Sequence, residues 1–250
     1  MIETLMNRRH DRSRWHAWWD WAEFQILSAV LVIAGTAFGI LKLASEINEG
    51  ETRSFDTAIL LAFRNPADHA DPIGPWWLEV MMKDLTSLGS TAVLTLITIA
   101  VLGYLLIERK NAAALFVLIA ICGGALLSTL LKIGFERPRP DLVAHAADVY
   151  TASFPSGHAL MSTVVYLTLG ALLARLHGRR RIKLYFLTVA VLLSAIVGVS
   201  RVYLGVHWPT DVLAGWAIGA AWALACWLVA SWFQRRGEIE LEGKSPPGRS

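Results

Sequence analysis

Charge is what this sequence has least of. Only 17% of its 250 residues are Lys, Arg, Asp or Glu, while 55% are hydrophobic, and the mean hydropathy is +0.47. A soluble globular domain carries about 25% charged residues, so this chain lacks the polar side chains to cover a water-facing surface. Its length permits one or two domains, but the composition argues for one membrane-embedded unit. Cysteine is equally scarce: Cys122 and Cys226 sit inside apolar runs as small hydrophobes. That excludes a disulfide framework or a thiolate metal cluster. No group of carboxylates suits Mg²⁺ or Ca²⁺, and two histidines with one aspartate make a thin zinc site. No metal or other cofactor is therefore expected. Strict polar–apolar alternation over about ten residues, the mark of a membrane barrel strand, is missing too.

Long apolar runs fill the space. Six stretches, 24–44, 89–107, 112–133, 158–176, 184–203 and 211–233, come close to the length that spans a bilayer. Backbone groups in lipid must bond within their own segment unless a barrel closes, so all six are expected as helices. The fold class is all-α: an integral membrane six-helix bundle, with short interfacial helices in the first outward loop. Residues 1–23 form a cytoplasmic segment whose Trp15, Trp18, Trp19 and Trp21 anchor it at the interface. Residues 24–233 form the six-span unit, and 234–250 a flexible cytoplasmic tail. The first run is long and late enough to remain attached rather than act as a cleaved signal.

The loops are sided. Arg8, Arg9, Arg12 and Arg14, then Arg109 and Lys110, then Arg175, Arg179, Arg180, Arg181 and Lys183, then Arg235 and Arg236 all fall on one side of a six-span path. Excess Lys and Arg mark the cytoplasmic face. The expected location is the inner (plasma) membrane, with both termini cytoplasmic and segments 45–88, 134–157 and 204–210 outside. Within the first of these, "RSFDTAILLAFRN" and "PWWLEVMMKDLTSLG" read as short amphipathic helices. Gly215 and Gly219 form a GxxxG pair in the last span, read equally well as close helix packing or as chance in an Ala/Gly-rich run.

Against this background three outward clusters of ionisable residues stand out: "KIGFERPRP", "FPSGH" and "SRVYLGVHWPTD". Charges at membrane depth are costly and usually face a partner or a cavity, and three on one face suggest a shared site. Lys132 and Arg139 offer two cationic arms suited to phosphate. "PSGH" is a turn into a helix, where exposed N–H groups favour an anion; Ser156 adds a hydroxyl, Gly157 permits close approach, and His158 follows. Pro209 suits the first position of a helix. His207 then precedes the sixth span, with Asp211 four residues on and able to hydrogen-bond the imidazole. Arg201 adds a cation. Such a pocket suits phosphoryl transfer through a phosphohistidine.

Lys132 to Pro140 fit K-x6-R-P, residues 155–158 fit P-S-G-H, and Ser200 to Asp211 fit S-R-x5-H-x3-D. In that order they resemble the signature of the type 2 phosphatidic acid phosphatases, membrane relatives of vanadium haloperoxidases. The resemblance covers at least 130–215 and the six-span layout. It implies a metal-independent lipid phosphatase in which His207 is the nucleophile, Asp211 its orienting carboxylate and His158 the acid for the leaving oxygen. Lys132, Arg139, Ser156, Gly157 and Arg201 match phosphate-binding positions, and Arg137, outside the fixed letters, is left lining the entrance. The favoured substrate is undecaprenyl diphosphate, cleaved to undecaprenyl phosphate and phosphate at the outer face. Phosphatidylglycerophosphate, phosphatidic acid and lipid A phosphate are the alternatives. The reading from another class is a lipid-phosphate carrier that does not hydrolyse. A lipid phosphate and the bilayer are the expected partners, and no nucleic acid is.

Overall fold

The computed structural model describes residues 27–143 and 152–235. The expected N-terminal segment 1–23 and almost all of the expected tail lie outside the described residues. Among the described residues there are eight helices. Helix α1 runs Leu27–Glu49, α2 Arg53–Ala62, α3 Trp76–Ser87, α4 Thr91–Ile107, α5 Asn111–Phe135, α6 Gly157–Arg175, α7 Arg180–Tyr203 and α8 Pro209–Arg235. Helices α1, α5, α6, α7 and α8 are each long and apolar enough to cross a membrane. The shorter α4 meets the same criterion together with α3, from which it is bent by 44°. The runs read from the sequence thus reappear with edges shifted by a few residues. Helix α1 continues five residues past 44, and α8 continues to Arg235.

The long loop 45–88 does form two short helices, α2 and α3. Between them lies a feature not foreseen, a small antiparallel hairpin of β1 (Arg64–Asn65) and β2 (Asp68–Pro72). Asn65 Oδ1 accepts the Ala67 N–H at 3.1 Å and Asp68 Oδ1 the Ala70 N–H at 2.9 Å. Such short-range side-chain bonds let Asn and Asp turn a chain tightly. Tyr203 at the end of α7 donates to the Ile73 carbonyl at 2.8 Å, tying the hairpin to the bundle.

Helix α6 is the central element, packed on α5, α7 and α8. Its approach to α8 depends on the GxxxG pair. A Cβ on Gly215 would lie 2.8 Å from the Ser156 carbonyl oxygen, and one on Gly219 2.7 Å from that of Leu160. Both positions face backbone that cannot give way, so close helix packing is the right reading and chance is not. The contact holds the start of α6 against the start of α8. Elsewhere the bundle turns apolar side chains outward, as lipid requires: Leu126, Leu130 and Ile133 on α5 are all exposed.

Candidate active site

The site forms at one end of the bundle, where α5 and α7 end and α6 and α8 begin. Helix α5 stops at Glu136, whose φ of +34° is left-handed. Pro138 and Pro140 bar its continuation. Residues before proline are driven to extended backbone, which here means Arg137 and Arg139, and alternate residues of an extended run share a side. Both guanidiniums accordingly reach the start of α8. Arg139 Nη1 donates to the Val206 carbonyl at 2.6 Å and lies 3.2 Å from His207 Nε2. Burial lowers the pKa of Arg139, opposed by the charge of Asp211.

Lys132, in the last turn of α5, donates from Nζ to the Ala152 carbonyl at 2.8 Å. It passes beside Gly157, where a Cβ would come within 3.4 Å of Lys132 Cε. Arg201, buried in the last turn of α7, donates from Nη1 to Thr86 Oγ1 at 3.2 Å, and its Nε has no hydrogen-bond partner. Ser156, the N-cap of α6, is fully buried, and its hydroxyl also lacks a partner. Orphaned buried donors are rare and call for a physical reason; an anion placed among these cations would satisfy both. His158, second residue of α6, lies within electrostatic reach of Arg201, His207, Lys132 and Arg139.

His207 is 1% exposed. An arginine N–H can only donate, so the 3.2 Å approach of Arg139 makes Nε2 the acceptor and leaves the ring proton on Nδ1. Burial pushes the His207 pKa down to about 4, against the raising influence of Asp211, so the ring is neutral at physiological pH. Its Nδ1 faces Ser153 Oγ at 3.4 Å and Asp211 Oδ2 at 3.6 Å. The direct imidazole–Asp211 hydrogen bond expected from the spacing is therefore stretched beyond normal length. The serine hydroxyl stands between the two groups, donating to Asp211 Oδ2.

Asp211 is held mostly by others. Its Oδ2 also accepts the Trp208 N–H at 3.0 Å, and Arg137 Nη1 approaches Oδ1 at 2.5 Å. With Pro209 as the first helical residue, the Trp208 bond is the return half of a capping box, a third-position acid reaching back to the N-cap N–H. Arg137 thus does more than line an entrance. The same guanidinium donates from Nη2 to Asp56 at 2.8 Å, so it bridges two carboxylates that are both fully buried. Lining is what was expected of Arg137; the bridge was not foreseen, because its partners lie 74 and 81 residues away in the chain.

All the residues singled out from the three clusters meet at this end of the bundle. Ser153, Thr210 and Asp56 were missed. Asp56 did carry a signal: it lies four residues before Leu60 and seven before Phe63, on the apolar face of the first amphipathic segment. An acid on such a face needs a buried partner. Ser153 carried none. Among the described residues no three His, Cys, Asp or Glu side chains cluster to hold a metal ion. A cavity of about 620 Å³ opens beside the site, lined by Thr129, Lys132 and Ile133 of α5, by Arg137 and Arg139, and by Ala152.

Fold and site together define a helical membrane protein with histidines and cations gathered at one end of the bundle. Comparison with known proteins narrows this class. The family model of the PAP2 superfamily matches residues 113–235. Phosphatidylglycerophosphatase B of Bacillus subtilis (strain 168) is 33% identical over 183 residues, 72% of this chain and 85% of the relative. The crystal structure of the first transmembrane PAP2 type phosphatidylglycerolphosphate phosphatase from Bacillus subtilis superposes with a TM-score of 0.72 at 29% identity, covering 82% of this chain and 97% of that one. Undecaprenyl-diphosphatase of Sulfolobus acidocaldarius is 43% identical over 68 residues, 27% of this chain and 29% of the relative. The chain belongs to the PAP2 superfamily and is a multi-pass membrane lipid phosphatase.

Proposed function

We propose that the enzyme removes a phosphate from a lipid head group at the outer face of the inner (plasma) membrane, through a phosphohistidine on His207. The observation that carries this reading is the state of the imidazole. Nε2 carries no proton and turns its lone pair toward Arg139 at the cationic end of the site, while Nδ1–H faces Ser153 and Asp211. A neutral ring with its second nitrogen oriented is what a nucleophile needs. In the first step Nε2 forms a bond to phosphorus, the bond from phosphorus to the lipid oxygen breaks, and His158 gives that oxygen a proton. In the second step His158 takes a proton from water as its oxygen attacks phosphorus. The P–N bond breaks, inorganic phosphate leaves and Nε2 regains its lone pair. Lys132, Arg139 and Arg201, with the Ser156 hydroxyl and the backbone beside Gly157, bear the charge on the phosphoryl oxygens. No step uses a metal ion.

The outward placement rests on sidedness. The basic loops 108–111 and 175–183 lie at the end of the bundle opposite the site, and such loops are retained in the cytoplasm. Both termini then belong on the cytoplasmic side of the single unit 24–233. A cysteine at Ala70 should react with an impermeant reagent added to intact cells, and one at Gly178 should not; the opposite pattern would reverse the orientation.

Among lipids, the relatives favour phosphatidylglycerophosphate, since the match to an enzyme of that name covers most of both chains. Undecaprenyl diphosphate, first by sequence reading, becomes the second candidate, supported by a shorter match of higher identity. The test is phosphate release by the purified protein in detergent and EDTA from both lipids, with phosphatidic acid and lipid A alongside. The higher kcat/KM is expected for phosphatidylglycerophosphate. Equal release by wild type and His207→Ala would overturn the hydrolytic reading and favour a carrier.

A further inference from the structure

The start of α8 carries Asp211, and something must hold that start in place. The first N–H groups of a helix have no partner within it. Here the Thr210 N–H donates at 2.9 Å to Asp56 Oδ1, so a carboxylate from α2, 154 residues away, caps α8. Asp56 Oδ2 accepts the Thr210 hydroxyl at 2.8 Å and Arg137 Nη2 at 2.8 Å. Arg137 closes the ring by donating from Nη1 to Thr210 Oγ1 at 2.8 Å and to Asp211 Oδ1, with its guanidinium 5.5 Å from the Trp208 ring. Trp208 in turn donates to the Pro138 carbonyl at 3.0 Å. Both carboxylates, the Thr210 hydroxyl and both terminal guanidinium nitrogens of Arg137 have partners, which is what makes burying the charges tolerable.

We propose that Asp56 and Arg137 are positioning residues for the reaction: the pair clamps the first turn of α8 onto α2 and so fixes the Asp211 carboxylate that orients His207. The proposal rests on His207 being the nucleophile. Neither residue is suited to bind the substrate. Asp56 is an anion that would repel phosphate, and it is fully buried behind Thr210. Arg137 is occupied by two carboxylates and a hydroxyl. The charge on Asp211 acts on Lys132 and Arg139, the cations of the phosphate site. A carboxylate free to turn toward them would fill the phosphate site and leave His207; Arg137 supplies a competing cation on the far side. The outward loop, for which the sequence offered no task, thereby becomes part of the catalytic geometry.

The test compares wild type with Asp56→Asn, Arg137→Gln and Arg137→Lys in detergent, on a short-chain phosphatidylglycerophosphate and on phosphatidic acid, with vanadate inhibition as a measure of the phosphate site. Asp56→Asn and Arg137→Gln should lower kcat about 10- to 100-fold, while KM and the vanadate inhibition constant move less than about threefold. Arg137→Lys, which keeps the charge but not the fork, should recover at least about fivefold of that loss. Combining Arg137→Gln with Asp211→Asn should cost less than the product of the two single effects, because both act through one carboxylate. Unchanged kcat in the single variants would overturn the proposal. So would a raised KM and vanadate constant with kcat intact, which would make Arg137 a phosphate ligand. If Asp56→Asn does not fold, Thr210→Val removes the shared hydroxyl, and kcat within twofold of wild type would overturn the clamp. A wild type that releases no phosphate from any lipid would instead sink the hydrolase reading.

Discussion

The two ends of the bundle use the same residue types for opposite purposes. At the end where α6 and α8 begin, Asp56, His207 and Asp211 are almost wholly buried, and Arg137 and Arg139 are fixed by short hydrogen bonds. At the other end Arg179, Arg180, Arg181 and Lys183 are exposed. Among the described residues there, Arg175 is held by side-chain hydrogen bonds, donating to Gln234 at 2.5 Å and Ser231 at 2.6 Å with Trp227 beneath it. Exposed charges are screened and interchangeable, so their number and side of the membrane matter. Buried ones are unscreened, and each depends on its particular partner.

Substitutions should therefore be costly at one end and cheap at the other. The largest expected effect is at the nucleophile: His207→Ala should lower phosphate release by about 10⁴-fold or more, and His158→Ala by about 10²- to 10⁴-fold, read by initial rates in detergent. Next comes Asp211→Asn, at about 10²- to 10³-fold, since the imidazole keeps its place but loses the charge that orients it. Gly219→Leu tests the packing beneath the site. With the Leu160 carbonyl 2.7 Å from the added Cβ, it should cost about 1–3 kcal/mol of stability or more, seen as a lower melting temperature, and reduce turnover together with it. The smallest effect belongs to the basic end. Arg180→Gln and Arg181→Gln should each change turnover less than about twofold, and a tenfold loss from either would break the comparison.

The His207 titration sharpens the same contrast. Because burial brings its pKa to about 4, from an ordinary 6.5, the ring should be uncharged at pH 5.5. The sign is that of a depressed histidine: as pH falls below about 6.5 the unfolded chain takes up a proton that the folded ring does not, so this contribution to fold stability is lost between about 6.5 and 4, while activity falls near 4, where the ring protonates and loses its lone pair. Ring-carbon chemical shifts of labelled histidine, assigned with His207→Gln, should show no His207 transition between pH 5.5 and 8. A midpoint near 6.5 would mean that water reaches the ring.

The sequence disclosed this end of the molecule unevenly, for physical reasons. The six runs were legible because lipid imposes length and hydrophobicity on each helix by itself. Lys132, His158 and His207 were legible because ionisable groups beside apolar runs need a reason to be there. Orientation between elements was not legible. That Ser153 would stand between His207 and Asp211, and that Asp56 would cap a helix 154 residues on, depends on how α2 and the 152–156 segment pack. Spacing along one chain carries no record of that. The i, i+4 relation of His207 and Asp211 suggested a direct bond, but Asp211 gives its oxygens to Ser153, Trp208 and Arg137. The hairpin between α2 and α3 was missed because its strands, of two and five residues, are too short for any period to show.

The central claim is that His207 carries the phosphoryl group. Enzyme mixed with lipid radiolabelled in its terminal phosphate, quenched in alkali within the first turnover and analysed for acid-labile, alkali-stable phosphate on protein, tests it directly. Label should appear on wild type, persist on the slow His158→Ala variant and be absent from His207→Ala. Label retained by His207→Ala would contradict the account.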